Sequence, residues 1–324
     1  MTKPLRIGLL GASNLAVSSI IEPAKKLENV EVTMVAARDA KRASAYAATN
    51  NIPLVAASYD ELIKSGEVDL VYICLPNAMH EEWGISALEN NLNVLLEKPA
   101  VTNPASATNL LAAAAKHNCR LIEGFHYYYH PLFGAVRQLV KSGNMGVVKA
   151  LHATLDVPMP KSENAARWDK SLGGGVMLDI GCYPVHWARH LVGEFEPTNT
   201  QIKFAETGVD EAVATNLKFE NGASGSIAVS MTPHERQRYS SLSIELSEGA
   251  IEIRNLVLPH YGHLFRWRTG DEWHQDELLG ETTYYCQLEA IRNALSTNQP
   301  LPTEGDDIMK NAISIKSVLD KQAG

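Results

Sequence analysis

The feature that most constrains this chain is a regular alternation running through its first 122 residues. Short apolar runs of β type occur at Arg6–Leu10, Val30–Ala36, Leu70–Leu75, Asn93–Leu96 and Arg120–Ile122. Amphipathic or alanine-rich stretches of helical length lie between them, as at Arg42–Asn50, Met79–Asn90 and Pro104–Lys116. Strand, helix, strand, helix in this order predicts a parallel sheet, because parallel neighbours need a long crossover that is usually a helix. The almost wholly apolar runs agree, since parallel strands are covered on both faces.

Beyond Gly124 the rhythm changes. A helix is expected over Pro131–Ser142, ended by Gly143-Asn144, and then a strand over Val147–Val157. A loop rich in Pro, Lys and Ser leads to Gly173-Gly174-Gly175 and a helix over Cys182–Val192. Strand-like runs then follow one another at Gln201–Glu206, Ala212–Phe219, Ala223–Ser230, Ser240–Glu245, Ala250–Arg254 and His263–Arg268. This is an α+β pattern with a mainly antiparallel open sheet. Two helices close the chain, Thr283–Thr297 and Asp306–Lys321, parted by Pro300-Leu301-Pro302. The length of 324 residues suits two domains. They are expected over 1–123, a doubly wound α/β (Rossmann) unit, and 124–324, with the last helices packing back towards the first domain.

Composition narrows the partners. A net charge of −8 argues against nucleic acid or an anionic membrane as the main partner. No apolar run approaches the ~20 residues that span a bilayer. The opening MTKPLRIGLLG reads as a first strand, not as a signal peptide. Cys74, Cys119, Cys182 and Cys286 lack C-x-x-C spacing, so neither a disulfide framework nor a cysteine zinc site is expected, and a reducing cytoplasm is the default.

Gly11-Ala12-Ser13-Asn14-Leu15-Ala16 sits where the first strand turns into a helix. A G-x-G-x-x-G/A pattern there allows a tight turn, close approach of a pyrophosphate and helix–strand packing. Gly11 and Ala16 fit its first and third places, and Ser13 replaces the middle glycine. A serine can still offer its N–H and hydroxyl to phosphate at a helix N-terminus. The second run ends in Ala36-Ala37-Arg38-Asp39. An NAD site usually carries an acidic residue here, to bind ribose hydroxyls. A small residue followed by Arg38 leaves room for a 2′-phosphate and supplies a planar cation, so NADP is expected, with NAD as the lesser option. Arg38 and Asp39 also suit the first turn of a solvated helix.

Leu96-Glu97-Lys98-Pro99 ends a parallel strand, so Lys98 faces the crevice where ligands bind in such sheets. Read from residues alone it is one candidate among many solvated lysines. With RIGLLGASNLA, Leu75-Pro76-Asn77-x-x-His80, Glu123-Gly-Phe-His126-Tyr127-Tyr128-Tyr-His-Pro131 and Gly173-Gly-Gly-Val-Met-Leu-Asp179-Ile-Gly-Cys-Tyr183-Pro-Val-His186, the motifs fall in a familiar order. Over almost its whole length the chain resembles the glucose–fructose oxidoreductase / inositol dehydrogenase / MocA family. The likeness is greatest to the branch with dimeric dihydrodiol dehydrogenases and NADP-dependent aldose 1-dehydrogenases.

That resemblance implies catalytic roles for Lys98, Tyr183 and Asp179, with Tyr183 exchanging a proton and Lys98 near the nicotinamide and the reacting oxygen. It implies cofactor contacts from Gly11, Ala12, Ser13, Asn14, Arg38, Leu75, Pro76, Asn77, His80, Glu97, Lys98, Arg167 and Trp168. Substrate contacts fall to His126, Tyr127, Tyr183 and His186. The substrate implied is a sugar, polyol or diol, and a homodimer through the C-terminal sheet is implied too. The chemistry is consistent: a phenol of pKa about 10 is a poor base at neutral pH, and a nearby ammonium favours phenolate. Two departures are visible, Ser13 for Gly and Tyr128 where the family commonly carries Arg.

Blander readings stand beside these. Tyr183 next to Pro184 suits a packed aromatic at a helix start, Asp179 an N-cap, Gly173–Gly175 a flexible turn and Trp168 a core side chain. His186 and His190 have a zinc-compatible spacing, but no H-E-x-x-H or third ligand follows, so no metal is expected. A cofactor-binding sensor without catalysis also fits the residues, as does a keto-sugar or inositol oxidoreductase.

Overall fold

The computed structural model describes residues 3–160, 166–232 and 238–321. Part of the Pro/Lys/Ser-rich loop, residues 161–165, lies outside them. The chain divides into two compact units, Met1–Phe125 with Tyr284–Met309, and His126–Thr283 with Lys310–Gly324.

Unit one is built on a six-stranded parallel sheet in the order β3-β2-β1-β4-β5-β6. The strands are β1 (Leu5–Leu10), β2 (Val30–Ala36), β3 (Leu54–Ala56), β4 (Leu70–Ile73), β5 (Asn93–Leu96) and β6 (Leu121–Glu123). The order reverses between β1 and β4, which opens a crevice beyond their carboxyl ends. Ile7 and Leu9 of β1, Tyr72 of β4 and Leu95 of β5 are fully buried. They share a core with Ile20 and Ile21 of the first helix and with Leu288 and Ile291 of helix Thr283–Thr297. That first helix opens at Asn14–Ala16, passes through a π turn at Val17–Ile21 and continues as Glu22–Lys26. β3 was not legible in the sequence, because it has three residues and its Leu54 and Val55 are exposed.

Unit two carries an eight-stranded sheet in the order β14-β13-β12-β11-β7-β10-β9-β8. Its strands are β7 (Val148–Asp156), β8 (Phe195–Phe204), β9 (Asp210–Phe219), β10 (Ser224–Ser230), β11 (Tyr239–Leu246), β12 (Gly249–Arg254), β13 (Leu264–Thr269) and β14 (Glu272–Gln275). All neighbours are antiparallel except β10 and β7, which run parallel. β8 begins six residues before the run expected from sequence. Its register breaks between Thr198 and Gln201, around Asn199 at φ 51°, and this hides the alternation. β14 is exposed at every position and so carries no apolar signal.

One face of this sheet is apolar and buried, with Leu151, Leu155, Ile227, Val229, Leu242 and Ile244. The other carries small and polar side chains such as His152, Thr154, Ser226, Ala228, Ser241 and Ser243, none of them buried. This period-two division is what a sheet with one covered face requires. Among the described residues no helix is long and apolar enough to cross a membrane.

Candidate active site

In unit one the turn after β1 needs a glycine. Gly11 has φ +107°, and a Cβ there would stand 2.9 Å from the Cys74 carbonyl oxygen. Ser13 caps the following helix, its hydroxyl accepting from Leu15 N–H at 3.1 Å. The serine that breaks the glycine pattern therefore orders the helix start. β2 ends at Ala36, with Ala37 buried and Arg38 exposed. Asp39 caps helix Ala40–Asn50 by accepting from Arg42 N–H at 2.8 Å. The Arg42 guanidinium turns back to donate to the Ala12 carbonyl at 2.8 Å, and the Tyr46 hydroxyl donates to the Ser13 carbonyl at 2.8 Å.

A cleft of about 700 Å³ opens here, at the switch point. Gly11, Ala12, Ser13, Asn14, Arg38, Leu75 and Pro76, all candidates from sequence, line it, and so do Arg42, Tyr59 and Cys74, which were not. No local pattern marks Arg42: it follows the Asp39 cap inside helix Ala40–Asn50 and reaches the cleft by folding back to the Ala12 carbonyl. Burial raises the Tyr59 and Cys74 values, Cys74 to about 11, so both stay protonated at neutral pH. Asn77, His80, Glu97 and Lys98 are not among the lining residues.

His80 is wholly buried, its ring between the Pro99 carbonyl at 3.1 Å and the Leu75 carbonyl at 3.0 Å. It ties the loop after β4 to the loop after β5. Burial pulls its pKa down, so the neutral ring is favoured. Glu97 is buried at the end of β5 and accepts from the Tyr72 hydroxyl at 2.6 Å, and Ser19 in turn donates to Tyr72 at 2.9 Å. Burial first, and the Glu97 charge next, hold the Tyr72 phenol well above its usual value. Lys98 follows, half-buried, with its N–H at 3.3 Å from the Glu97 carboxylate and a cis peptide to Pro99.

In unit two, Tyr183 stands in the first turn of helix Cys182–Leu191, 5% exposed. Its hydroxyl is 3.0 Å from His126 Nε2, while His126 Nδ1 is 2.8 Å from the Thr283 hydroxyl. Tyr127 and His186 are buried and paired with each other, oxygen to Nδ1 at 2.5 Å. Trp168 is buried. Asp179 accepts from the Arg167 guanidinium at 2.7 Å.

Asp179 does not cap the helix. It lies inside a π turn, Met177–Gly181, that precedes it. The carboxylate that accepts a backbone N–H there is Asp210 of β9, from Met177 at 2.8 Å, a residue sequence reasoning did not single out. Gly175, at φ +123°, has no room for a Cβ because Asp210 Oδ1 occupies that place. Burial raises the Asp210 carboxyl to about 6, against the Met177 N–H, which favours the charged form. Between the unfolded value of 3.8 and about 6 the folded chain holds the extra proton, so stability falls as pH rises through that window. We expect Asp210→Asn to raise the melting temperature by roughly 2–5 °C above neutral pH, and to leave it unchanged near pH 4. Thermal melts of both proteins across pH check this; parallel curves would refute it.

The strand order and the cleft at its switch point define a dinucleotide-binding domain. Residues 5–125 match the oxidoreductase family with an NAD-binding Rossmann fold, residues 133–252 match the GFO/IDH/MocA C-terminal domain, and the chain belongs to this family of oxidoreductases. It is 31% identical over 300 residues to D-xylose 1-dehydrogenase (NADP(+)) 2 of Haloferax volcanii, covering 91% of this chain and 90% of that one. It is 34% identical to dTDP-3,4-didehydro-2,6-dideoxy-alpha-D-glucose 3-reductase of Saccharopolyspora spinosa, over 74% of this chain and 72% of the relative. A solved 3-ketoreductase from Actinomadura kijaniata, in complex with NADP and TDP-benzene, superposes with a TM-score of 0.91 over 99% of this chain and 98% of that one. Its identity is 23%, so that likeness is one of fold.

Proposed function

We propose that the chain is an NADP-dependent oxidoreductase acting on a CH–OH carbon of a sugar or related polyol or diol, either an aldose 1-dehydrogenase or a trans-dihydrodiol dehydrogenase. The observation that carries the cofactor choice is the pair of guanidinium groups, Arg38 and Arg42, in the wall of the cleft beyond β2. Two planar cations there suit a 2′-phosphate, which a carboxylate in their place would repel. Gly11 to Asn14 suit the pyrophosphate, through backbone N–H groups at a helix start and a turn without a Cβ. Leu75, Pro76, Asn77, His80, Glu97, Lys98, Arg167 and Trp168 would hold the nicotinamide half.

The bound cofactor supplies or accepts a hydride; the chain's part is to orient the substrate and move a proton. In oxidation Tyr183 takes the substrate hydroxyl proton, and in reduction it returns one while Lys98 stabilises developing alkoxide charge. Asp179 holds Arg167. Tyr127, His186 and His126 form the wall around Tyr183. The Haloferax volcanii relative supports an aldose and NADP. The Saccharopolyspora spinosa relative supports a second reading, reduction of a keto-sugar.

The test follows reduced-nicotinamide absorbance with NADP⁺ or NAD⁺ and a panel of aldoses, inositols and trans-diols, and with NADPH and keto-sugars. Turnover of an aldose or trans-diol with NADP⁺ is expected. Preference for NAD⁺ would overturn the role given to Arg38 and Arg42, and turnover of keto-sugars alone would select the second reading. We further propose that the small polar face of the eight-stranded sheet pairs with a second copy, which a sedimenting mass of 35.4 kDa would refute.

A further inference from the structure

His126 is a buried imidazole whose two ring nitrogens both meet hydroxyl groups. Nε2 lies 3.0 Å from the Tyr183 oxygen and Nδ1 lies 2.8 Å from the Thr283 oxygen. A hydroxyl can donate or accept. The neutral ring can donate from Nδ1 to Thr283 and accept the Tyr183 proton at Nε2. The charged ring can donate to both, with Tyr183 as phenolate. In either state each ring nitrogen keeps a hydroxyl partner, so the ring can change protonation without orphaning one of its own nitrogens. His80 is the contrast within the same chain: its ring stands between two carbonyl oxygens, which only accept.

We propose that His126 is a positioning residue that takes the phenol proton of Tyr183, with Thr283 holding its ring in register. This rests on the reading of Tyr183 as the group that exchanges a proton with substrate. In the oxidative direction the Tyr183 O–H bond breaks and its proton moves to His126 Nε2, leaving phenolate beside imidazolium. The phenolate then takes the proton of the substrate hydroxyl, and the hydride on the substrate carbon leaves with its electron pair for NADP⁺. The substrate is oxidised, NADP⁺ is reduced, and one proton rests on His126 until it passes to solvent. Reduction runs these steps backwards.

Other titratable groups in unit two surround the pair. The Tyr127 ring lies 5.9 Å from that of Tyr183 and is bonded to His186. Tyr128 and His190 lie beyond, with the Arg137 guanidinium 4.8 Å from the Tyr128 ring. His260 accepts from the Thr283 backbone N–H at 3.4 Å. His126 is bonded to the Tyr183 oxygen on one side and to the Thr283 hydroxyl on the other.

The test needs no substrate. Tyrosine is labelled with ¹³C at Cζ, the Tyr183 signal is assigned by its loss in Tyr183→Phe, and its ionisation is followed in wild type, His126→Gln, Thr283→Val and Thr283→Ser. His126→Gln keeps a hydrogen-bonding group but cannot take the proton, so the Tyr183 midpoint should rise by about one pH unit or more. Thr283→Val should shift it less and in the same sense, and Thr283→Ser should restore it. With a substrate from the screen, His126→Gln should lower kcat roughly 10- to 100-fold near neutral pH, with KM little changed and the rate recovering as pH rises. A Tyr183 midpoint unmoved in folded His126→Gln would overturn the relay, as would a rate loss that alkali does not restore. Should His126→Gln fail to fold, the Thr283→Val and Thr283→Ser pair decides. If no substrate turns over, the proposed function fails while the titration still decides the relay.

Discussion

Lys98→Met is expected to lower kcat by about 10²- to 10⁴-fold while leaving the dissociation constant for NADPH within about threefold. Lys98 stands half-buried at the carboxyl end of β5, next to a glutamate that Tyr72 and Ser19 hold inside the fold. A preorganised ammonium stabilises developing alkoxide, and methionine keeps the length of the stem without the charge. Tyr183→Phe removes the exchanging proton and should cost a similar factor. Steady-state rates and NADPH fluorescence titrations of both variants check this. Turnover that survives in either would refute the mechanism, and full NADPH binding in a wild type without turnover on any substrate would support the non-catalytic sensor.

Arg38→Ala with Arg42→Ala is expected to weaken use of NADP⁺ by roughly 10²- to 10³-fold in kcat/KM, with NAD⁺ changed less than about threefold. A hydrogen bond to a charged group contributes about 1.5–3 kcal/mol, a factor of about ten or more for each arginine. The two are unequal in kind. Arg38 is exposed at the mouth of the cleft, whereas Arg42 also donates to the Ala12 carbonyl and so braces the turn after β1. Arg42→Ala should therefore account for whatever small loss the double variant shows with NAD⁺, and Arg38→Ala should act on NADP⁺ alone. Equal losses for the two cofactors in the double variant would show that the arginines serve the fold and not the 2′-phosphate.

Much of this molecule is written locally. The apolar runs that become β1, β2, β4, β5 and β6 must be buried on both faces, so periodicity alone foretells the parallel sheet. Gly11 and Arg38 are legible for the same reason: a turn at positive φ and a cation after a buried strand follow from neighbours in the chain. Arg42 is not legible in this way, because its side chain folds back over 30 residues of sequence to the Ala12 carbonyl. Asp210 was invisible in the same way, since it reaches Met177 across 33 residues to supply the acceptor that Asp179 does not.

The sequence by itself determined the alternation of the principal strands and helices and the glycine turn, and it offered Lys98, Tyr183 and His126 as candidates. It could not tell Tyr183 as a packed aromatic from Tyr183 as a hydrogen-bonded phenol. Tertiary structure decided that, by bringing His126 to 3.0 Å of its hydroxyl and Thr283 to the far side of the same ring. Those three residues are 57 and 157 positions apart. Backbone periodicity reports which face of an element is buried, whereas a hydrogen bond between distant side chains depends on where whole elements pack.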